Sequence, residues 1–445
     1  MPSHPKPAPR TGQELYQRAK RRIPGGTQLL SKRPEMFLPD NWPAYYRRAE
    51  GCTVWDLDDR PYVDFTSNGI GCCLLGYADP TVNAAVIERI VRGSMCTLNP
   101  ADEVALADLL CTLHPWAEKV RYARAGGEAM SIAVRIARAA TGREKVAICG
   151  YHGWGDWYLA ANLGETSALD GHLLQGLDPA GVPASLRGTT LPFRYNQIDQ
   201  LEAIVAAQRG QLAAIVMEPM RHDPPRDGFL EKVRALATAA GAVLVFDEIT
   251  AGWRSHHGGI HLTLGVKPDI AVFAKAISNG FPMAAIIGRG AVMDAAQQTF
   301  VSSTYWTEAI GPAAALATLQ RLPQVNAVGR IRESGDLTRA GWRRLGAKHG
   351  LPLKVGGLPA LATVAFDQGD DSRALMTLFT QAMLEHGFLA HGVFYPTVAH
   401  TPAVVERYLA AADTVFGWLR ERLDRGEVRS ALQGPVAHAG FARLT

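Results

Sequence analysis

Through the middle of this chain short apolar runs alternate with amphipathic stretches of helical period: KVAIC, then a long insertion, AAIVMEP, the helical FLEKVRALATAAG, AVLVFDE, DIAVFAK and MAAIIG. No other feature limits the fold so tightly. Runs that are β-rich and apolar throughout, separated by helices and punctuated by glycine, belong to strands buried on both faces. Such strands make a mostly parallel sheet with helices against either side. The fold class is therefore α/β.

The 445 residues exceed one ordinary domain of roughly 100 to 200 residues, and the pattern divides accordingly. Residues 1–75 read as an N-terminal arm and β-meander belonging to a small domain. Their first ten residues, rich in Pro, are expected to be mobile; a short basic helix then ends at Pro24, Gly25 and Gly26, and CTVWDLDDRPYVDF alternates as strands broken at Asp58 and Asp59. Residues 76–322 form a large domain with a mixed, mostly parallel sheet, closing on a helix over about 309–321. Residues 323–445 complete the smaller α+β domain, with helices near 374–386 and 402–423 flanking short strands such as LATVAF.

Composition excludes several function classes. The 46 basic residues against 42 acidic leave a net charge of +4, too even to make a polyanion-binding field, so nucleic acid is not expected as a partner. Arg18, Lys20, Arg21 and Arg22 read as the solvated face of a helix. With 47% apolar residues and its glycines and prolines dispersed, the chain is globular in composition. Its cysteines form no C-x-x-C pair and no zinc-like cluster, so no metal is expected, and a reducing cytoplasm is the simplest location. The apolar stretches 212–217 and 242–246 fall far short of the roughly 20 residues that span a bilayer, and the opening MPSHPKPAPR lacks the apolar region of a secretory signal.

Ligands of open α/β sheets bind at the carboxyl ends of strands, and two reactive side chains fall there. GAVLVF delivers Asp247 at its end, and DIAVFA delivers Lys275. Desolvating an ammonium is costly, which makes a lysine after a buried strand a usable amine nucleophile toward carbonyls. Two plainer readings stand beside this one: Lys275 snorkels out of the sheet or pairs with Asp247, and Asp247 caps the next helix. The remaining needs of an imine-forming cofactor such as pyridoxal 5′-phosphate (PLP) are a carboxylate on its pyridine nitrogen, a ring stack and a phosphate cradle. Each has a candidate. Gly126 and Gly127 precede an amphipathic helix whose first amides can hold a phosphate, or form only a tight turn. After KVAIC, Tyr151 can stack on a ring and His152 can hydrogen-bond beside it; Tyr151, Trp154 and Trp157 otherwise read as core or lid aromatics. Thr304 offers a hydroxyl ahead of a helix, as do Ser302 and Ser303, or simply caps it.

With these residues in view, the sequence resembles the class III (ω-type) aminotransferases of the PLP-dependent transferase fold type I, and within them the glutamate-1-semialdehyde aminomutase-like branch. The resemblance runs through PGGTQLLSKR, GCTVWDLDDRPYVDF, AGGEAMSIAVRIARAATGREKV, YHGW, MEP, VFDEITAGWR, AKAISNGFPMAAIIG and GPAAALATL. It implies PLP as cofactor, Lys275 as the Schiff-base lysine and Asp247 as the pyridine partner. Ile249 and Tyr151 would cover the two ring faces, Gly126 and Gly127 would bind the phosphate, and Thr304 would complete the phosphate site from a second subunit. His152 and Glu218, in YHGW and MEP, belong to the same implied cofactor set, and a homodimer with shared sites is implied with them.

Three departures bear on substrate. The phosphate loop is AGGEA, without the family's common Ser or Thr. Lys32 stands near where the aminomutase branch has a carboxylate-binding Arg, and an ammonium cannot replace that planar fork. STYWTEAIGP replaces Gly-Asn-Pro, placing Glu308 where an Asn is usual; it either receives a substrate hydroxyl or amine, or is a helix N-terminal carboxylate. The expectation is an aminotransferase passing an amino group from an amino-acid donor to a carbonyl acceptor, sugar-like or hydroxylated, with Lys32, Trp154 and Glu308 as substrate candidates. An intramolecular aminomutase, an ammonia lyase, a racemase and a non-catalytic binding protein on the same fold are the alternatives.

Overall fold

The computed structural model describes residues 11–440 apart from Thr166 and Leu173. The first ten residues, read above as mobile, lie outside the described residues. The chain divides into two compact units, one of Met1–Ile70, Gly76–Ala78 and Gly329–Thr445, the other of Gly71–Leu75 and Asp79–Val328.

The first unit begins with the basic helix Thr11–Lys20 and an antiparallel meander of β1 (Tyr46–Glu50), β2 (Thr53–Asp56) and β3 (Pro61–Phe65). The break after β2 has a local cause. Asp56 Oδ1 accepts the amides of Asp58 and Arg60, each at 2.9 Å, and Asp59 takes the left-handed conformation at φ 60°, which an acidic residue tolerates in a turn.

The second unit is built on the predicted sheet. Its strands are β4 (Lys119–Ala123), β5 (Lys145–Cys149), β6 (Thr190–Pro192), β7 (Leu212–Met217), β8 (Val243–Asp247), β9 (Ile270–Phe273) and β10 (Ala284–Gly288), in the order β4-β10-β9-β8-β7-β5-β6. From β9 to β6 every pairing is parallel; β10 runs antiparallel to both β9 and β4. Strands β7 to β10 are buried along their whole length, which is why their sequences read as unbroken apolar runs. Helix Gly126–Thr141 buries Ala129, Met130, Ile132, Ala133, Val134, Ile136 and Ala137 in the core that also holds Val216 and Val245. Each buried isoleucine contributes about 1.5–3 kcal/mol. Gly142 in the left-handed region, φ 65°, ends that helix.

Two differences from the sequence reading concern helices. Helix Ile310–Gln324 runs through Pro323; the proline sits in the final turn, where little helix remains to be broken. More substantially, Ala327–Lys348 is a 22-residue helix where no helix was expected. Its interior holds Gly329, Gly335, Gly341 and Gly346, which argue against helix in isolation but answer a packing need. A Cβ on Gly335 would lie 1.9 Å from the Pro359 carbonyl oxygen, and one on Gly341 2.4 Å from the Leu409 side chain. The first unit is completed by β11 (Leu353–Gly356), β12 (Ala362–Phe366), β13 (Phe388–Ala390) and β14 (Val393–Phe394), β13 joining the meander in parallel beside β3.

Candidate active site

The parallel strands of the second unit end side by side. Asp247 closes β8 and pairs with Val272 of β9; β9 ends at Phe273, and Lys275 opens the turn Lys275–Ser278. Lys275 holds a positive φ of 48°, an uncommon conformation for a lysine that redirects the chain as it leaves the sheet. Its Nζ donates to Thr250 Oγ1 at 2.8 Å. Burial, and then the Arg221 guanidinium, push the amine down from 10.5 to about 8, against the opposing pull of Asp247 and Glu218.

Asp247 is buried and has both oxygens occupied. Its Oδ1 accepts the Ile249 amide at 3.0 Å, and its Oδ2 lies 2.8 Å from His152 Nδ1, which must be the donor because a carboxylate only accepts. The other ring nitrogen of His152, Nε2, is buried without a hydrogen-bond partner. Glu218 follows β7 directly. Its Oε2 accepts the Tyr151 amide at 3.2 Å and its Oε1 accepts Arg221 Nη1 at 2.7 Å. Burial works to raise the Glu218 carboxyl, but Arg221, His152, the Tyr151 amide and Lys275 outweigh it and hold the group below its usual range.

The glycine pair lies at the start of helix Gly126–Thr141, where the first amides have no partner within the helix. A Cβ on Gly126 would meet Ile249 Cδ1 at 3.0 Å, and one on Gly127 would meet Trp154 Nε1 at 3.1 Å. Gly126, Ile249, Asp247, His152, Tyr151, Glu218 and Lys275 are thus brought together through direct contacts and shared electrostatics. Trp154 stands 74% exposed beside Gly127.

Three sequence candidates have surroundings of their own. Lys32 belongs to the first unit, on the turn Leu30–Lys32, where its charge opposes the upward push of burial on the Asp64 carboxyl. Thr304 is exposed at the head of the turn Thr304–Thr307, and its hydroxyl meets none of these groups within the chain among the described residues. Glu308 is held by the fold: its Oε2 accepts the Ile310 amide at 2.6 Å, and its Oε1 accepts the Gly311 amide at 2.9 Å and Arg124 Nε at 2.7 Å. It caps helix Ile310–Gln324. Sequence reasoning missed Arg124, Thr250 and Arg221; the last two could have been sought in the same ITAGWR and MEPMR segments that carry Ile249 and Glu218. Among the described residues no group of three or more His, Cys, Asp or Glu side chains is placed to hold a metal.

Residues 39–412 match the family model described as aminotransferase class III. The chain belongs to this family. As a class III aminotransferase it is a PLP-dependent enzyme whose substrates are an amino donor and a carbonyl acceptor. It is 30% identical over 382 residues to the 3-aminobutyryl-CoA aminotransferase of Cloacimonas acidaminovorans (strain Evry), covering 84% of this chain and 88% of that protein. It is 31% identical over 414 residues to the aminopentol aminotransferase of Sphingopyxis macrogoltabida, covering 91% and 93%. The FumI protein of Sphingopyxis sp. MTA144, solved in its PLP internal aldimine form, superposes with a TM-score of 0.84 at 29% identity, over 93% of this chain and 97% of that one.

The residues present fit this cofactor. Side chains on Gly126 or Gly127 would close the space between the helix start, Ile249 and Trp154. A buried imidazole nitrogen without a partner, a buried carboxylate and an amine lowered to about 8 are a donor set suited to an aldehyde-bearing heteroaromatic phosphate.

Proposed function

We propose that Lys275 Nζ is the amine that carries PLP, that Asp247 holds a proton on its ring nitrogen, and that Tyr151 and Ile249 cover the two faces of the ring. Gly126 and Gly127 supply backbone amides to the phosphate, and Thr304 of a second copy supplies a hydroxyl. His152 fixes Asp247 through Oδ2, and Glu218 anchors the Tyr151 backbone and Arg221. The observation that carries this reading is the half-buried lysine just after β9, close in sheet position to a buried carboxylate at the end of β8, with its amine lowered to about 8. Bound there, PLP supplies a carbonyl that condenses with amines and a ring that accepts the electrons left when a proton departs from carbon. With the cofactor bound, the Lys275 amine would be the group placed to take up a proton from the donor's Cα and to return one to the acceptor carbon. Borohydride treatment of the holoenzyme followed by peptide mapping tests the assignment: the cofactor mass is expected on the peptide holding Lys275, and a label on another lysine sinks it.

Transfer between two molecules is the reading here; within the family, PGGTQLLSKR and YHGW support a place in the branch that also holds glutamate-1-semialdehyde aminomutases. The acceptor we infer is a hydroxylated carbonyl compound without a carboxylate beside the reacting carbon. Two features favour it: Lys32 in place of a planar guanidinium, and the likeness to an aminotransferase named for aminopentol, an amine whose carbonyl counterpart is a compound of this kind. A panel of acceptors in which only α-keto acids react would refute it. The chemistry is assigned to residues 76–322, with 1–75 and 323–445 as the smaller domain. The free state of all six cysteines supports a reducing, cytoplasmic location, and among the described residues no helix is long and apolar enough to cross a membrane. A homodimer is proposed from the exposed apolar residues Ile87, Ile90 and Val91 on helix Pro80–Val91.

A further inference from the structure

Arg124 ends the segment that delivers the phosphate loop, and its side chain is spent on a different part of the chain. Nε donates to Glu308 Oε1 at 2.7 Å, while Nη2 donates to the carbonyl of Glu308 at 2.7 Å and of Trp306 at 3.0 Å. Nη1 donates to the Ala123 carbonyl at 3.1 Å. The planar fork therefore grips the end of the turn Thr304–Thr307 through the Trp306 carbonyl and, just after it, through the carboxylate and carbonyl of Glu308. The pair is largely buried, 12% and 17% of the two side chains remaining exposed, so solvent screens it little. On its backbone side Arg124 is tied to the loop itself: Glu128 Oε2 accepts the amides of Arg124 at 2.9 Å and of Ala125 at 3.4 Å. Two neighbours extend the grip, Arg121 Nη2 donating to the Val301 carbonyl and Arg135 Nη1 to that of Phe300. Thr304 and Tyr305 are exposed on this turn, while Trp306 packs against the core and the arginines hold the backbone on either side of Thr304.

We propose that Arg124 is the positioning residue for PLP affinity in this chain: with Glu308 it fixes the turn carrying Thr304 and ties that turn to the glycine loop of its own protomer. This rests on the reading above in which Thr304 meets the cofactor phosphate. It deepens that reading because a loop spelled AGGEA offers no hydroxyl of its own, so a larger share of the phosphate's hydrogen bonds falls on Thr304. A threonine on a mobile turn loses ordering entropy on binding; one already held in place does not. Arg124 reaches the phosphate only through this turn.

The test is PLP binding to the apo full-length protein, followed by tryptophan fluorescence and by cofactor absorbance, for Arg124→Gln, Thr304→Ala, the double variant and Arg124→Lys. Each is read below the unfolding transition of its own apo form. Arg124→Gln and Thr304→Ala are each expected to weaken binding about tenfold, the size of one lost hydrogen bond to a charged group. The double variant should be no weaker than the worse single one, because both remove the same contact. Arg124→Lys, which keeps a charge for Glu308 but not the fork to the two carbonyls, should recover only part of the loss. Full additivity of the two substitutions, or unchanged affinity in Arg124→Gln while Thr304→Ala binds weakly, overturns the role of Arg124 alone. Unchanged affinity in Thr304→Ala overturns the phosphate role of Thr304 and this proposal with it. If Arg124→Gln does not fold, Glu308→Gln stands in for it: its single amide oxygen keeps one of the two helix-capping bonds while the ion pair to Arg124 is lost.

Discussion

For Lys275 the decisive quantity is the fraction of its amine that is neutral. At a pKa of about 8, set by burial and Arg221, roughly a tenth of the amine is free base at pH 7; at the ordinary lysine value it would be well under about one part in a thousand. Only the free base attacks a carbonyl, so the rate of PLP capture by the apo protein should rise about tenfold for each pH unit below 8 and level off above it. Stopped-flow absorbance measures this directly. Arg221→Gln removes a like charge beside the ammonium, so its midpoint should move upward and capture at pH 7 should slow. A midpoint that stays in place would mean that burial alone lowers this amine. His152→Phe makes a different demand, stripping the partner from a fully buried carboxylate oxygen. It should cost about 1–3 kcal/mol of apo stability, measured by urea unfolding. The positions of Asp247 and Lys275 at the strand ends were legible in the sequence because each follows an unbroken apolar run that ends at the carboxyl edge of a sheet. Arg221, Thr250 and Arg124 were not, because what they do depends on loops brought back to those edges, and no local pattern marks that return.

Among the elements, strands were the more readable and glycine-bearing helices the less. A strand such as KVAIC or DIAVFA is buried on both faces, so its composition alone marks it. Helix Ala327–Lys348 carries its glycines where neighbouring backbone comes too close for a side chain, and that reason lies in Pro359 and Leu409, not in the helix. The two effects of adding a methyl there have opposite signs. Alanine favours helix over glycine by about 1 kcal/mol. Against this, a Cβ 1.9 Å from a carbonyl oxygen cannot be accommodated without moving the helix or the 359–361 turn, an overpacking cost of about 1–3 kcal/mol or more. The clash should win, and Gly335→Ala should lower the unfolding midpoint. Gly164→Ala, where a Cβ would meet nothing within 4 Å, should leave it nearly unchanged. If both behave alike, the glycines of this helix have some role other than close packing.

The whole molecule has to account for a second apolar face on helix Pro80–Val91. That helix buries Val82 and Val86, yet Ile87, Ile90 and Val91 also lie on it, 61%, 53% and 81% exposed, and Leu98 shortly after is 78% exposed. Positions 87, 90 and 91 follow the i, i+3, i+4 spacing of one helix face, so this is a stripe and not scattered residues. A stripe of this kind marks an interaction surface, and closed symmetric pairing is the commonest way for a chain to cover one. Sedimentation of the apo protein is expected to show a dimer, and Val91→Lys combined with Leu98→Lys should shift it toward monomer. If Thr304 serves the site of the other copy, loss of the dimer must also weaken the cofactor site. The monomeric variant should then bind PLP no more tightly than Thr304→Ala does, although neither substituted residue touches the site. Binding and association are linked, so wild-type affinity should fall on dilution below the dimer dissociation constant, and saturating PLP should tighten the dimer by the same factor. A monomer that binds PLP as tightly as the dimer would show that each chain holds its cofactor unaided, and would remove Thr304 from the site.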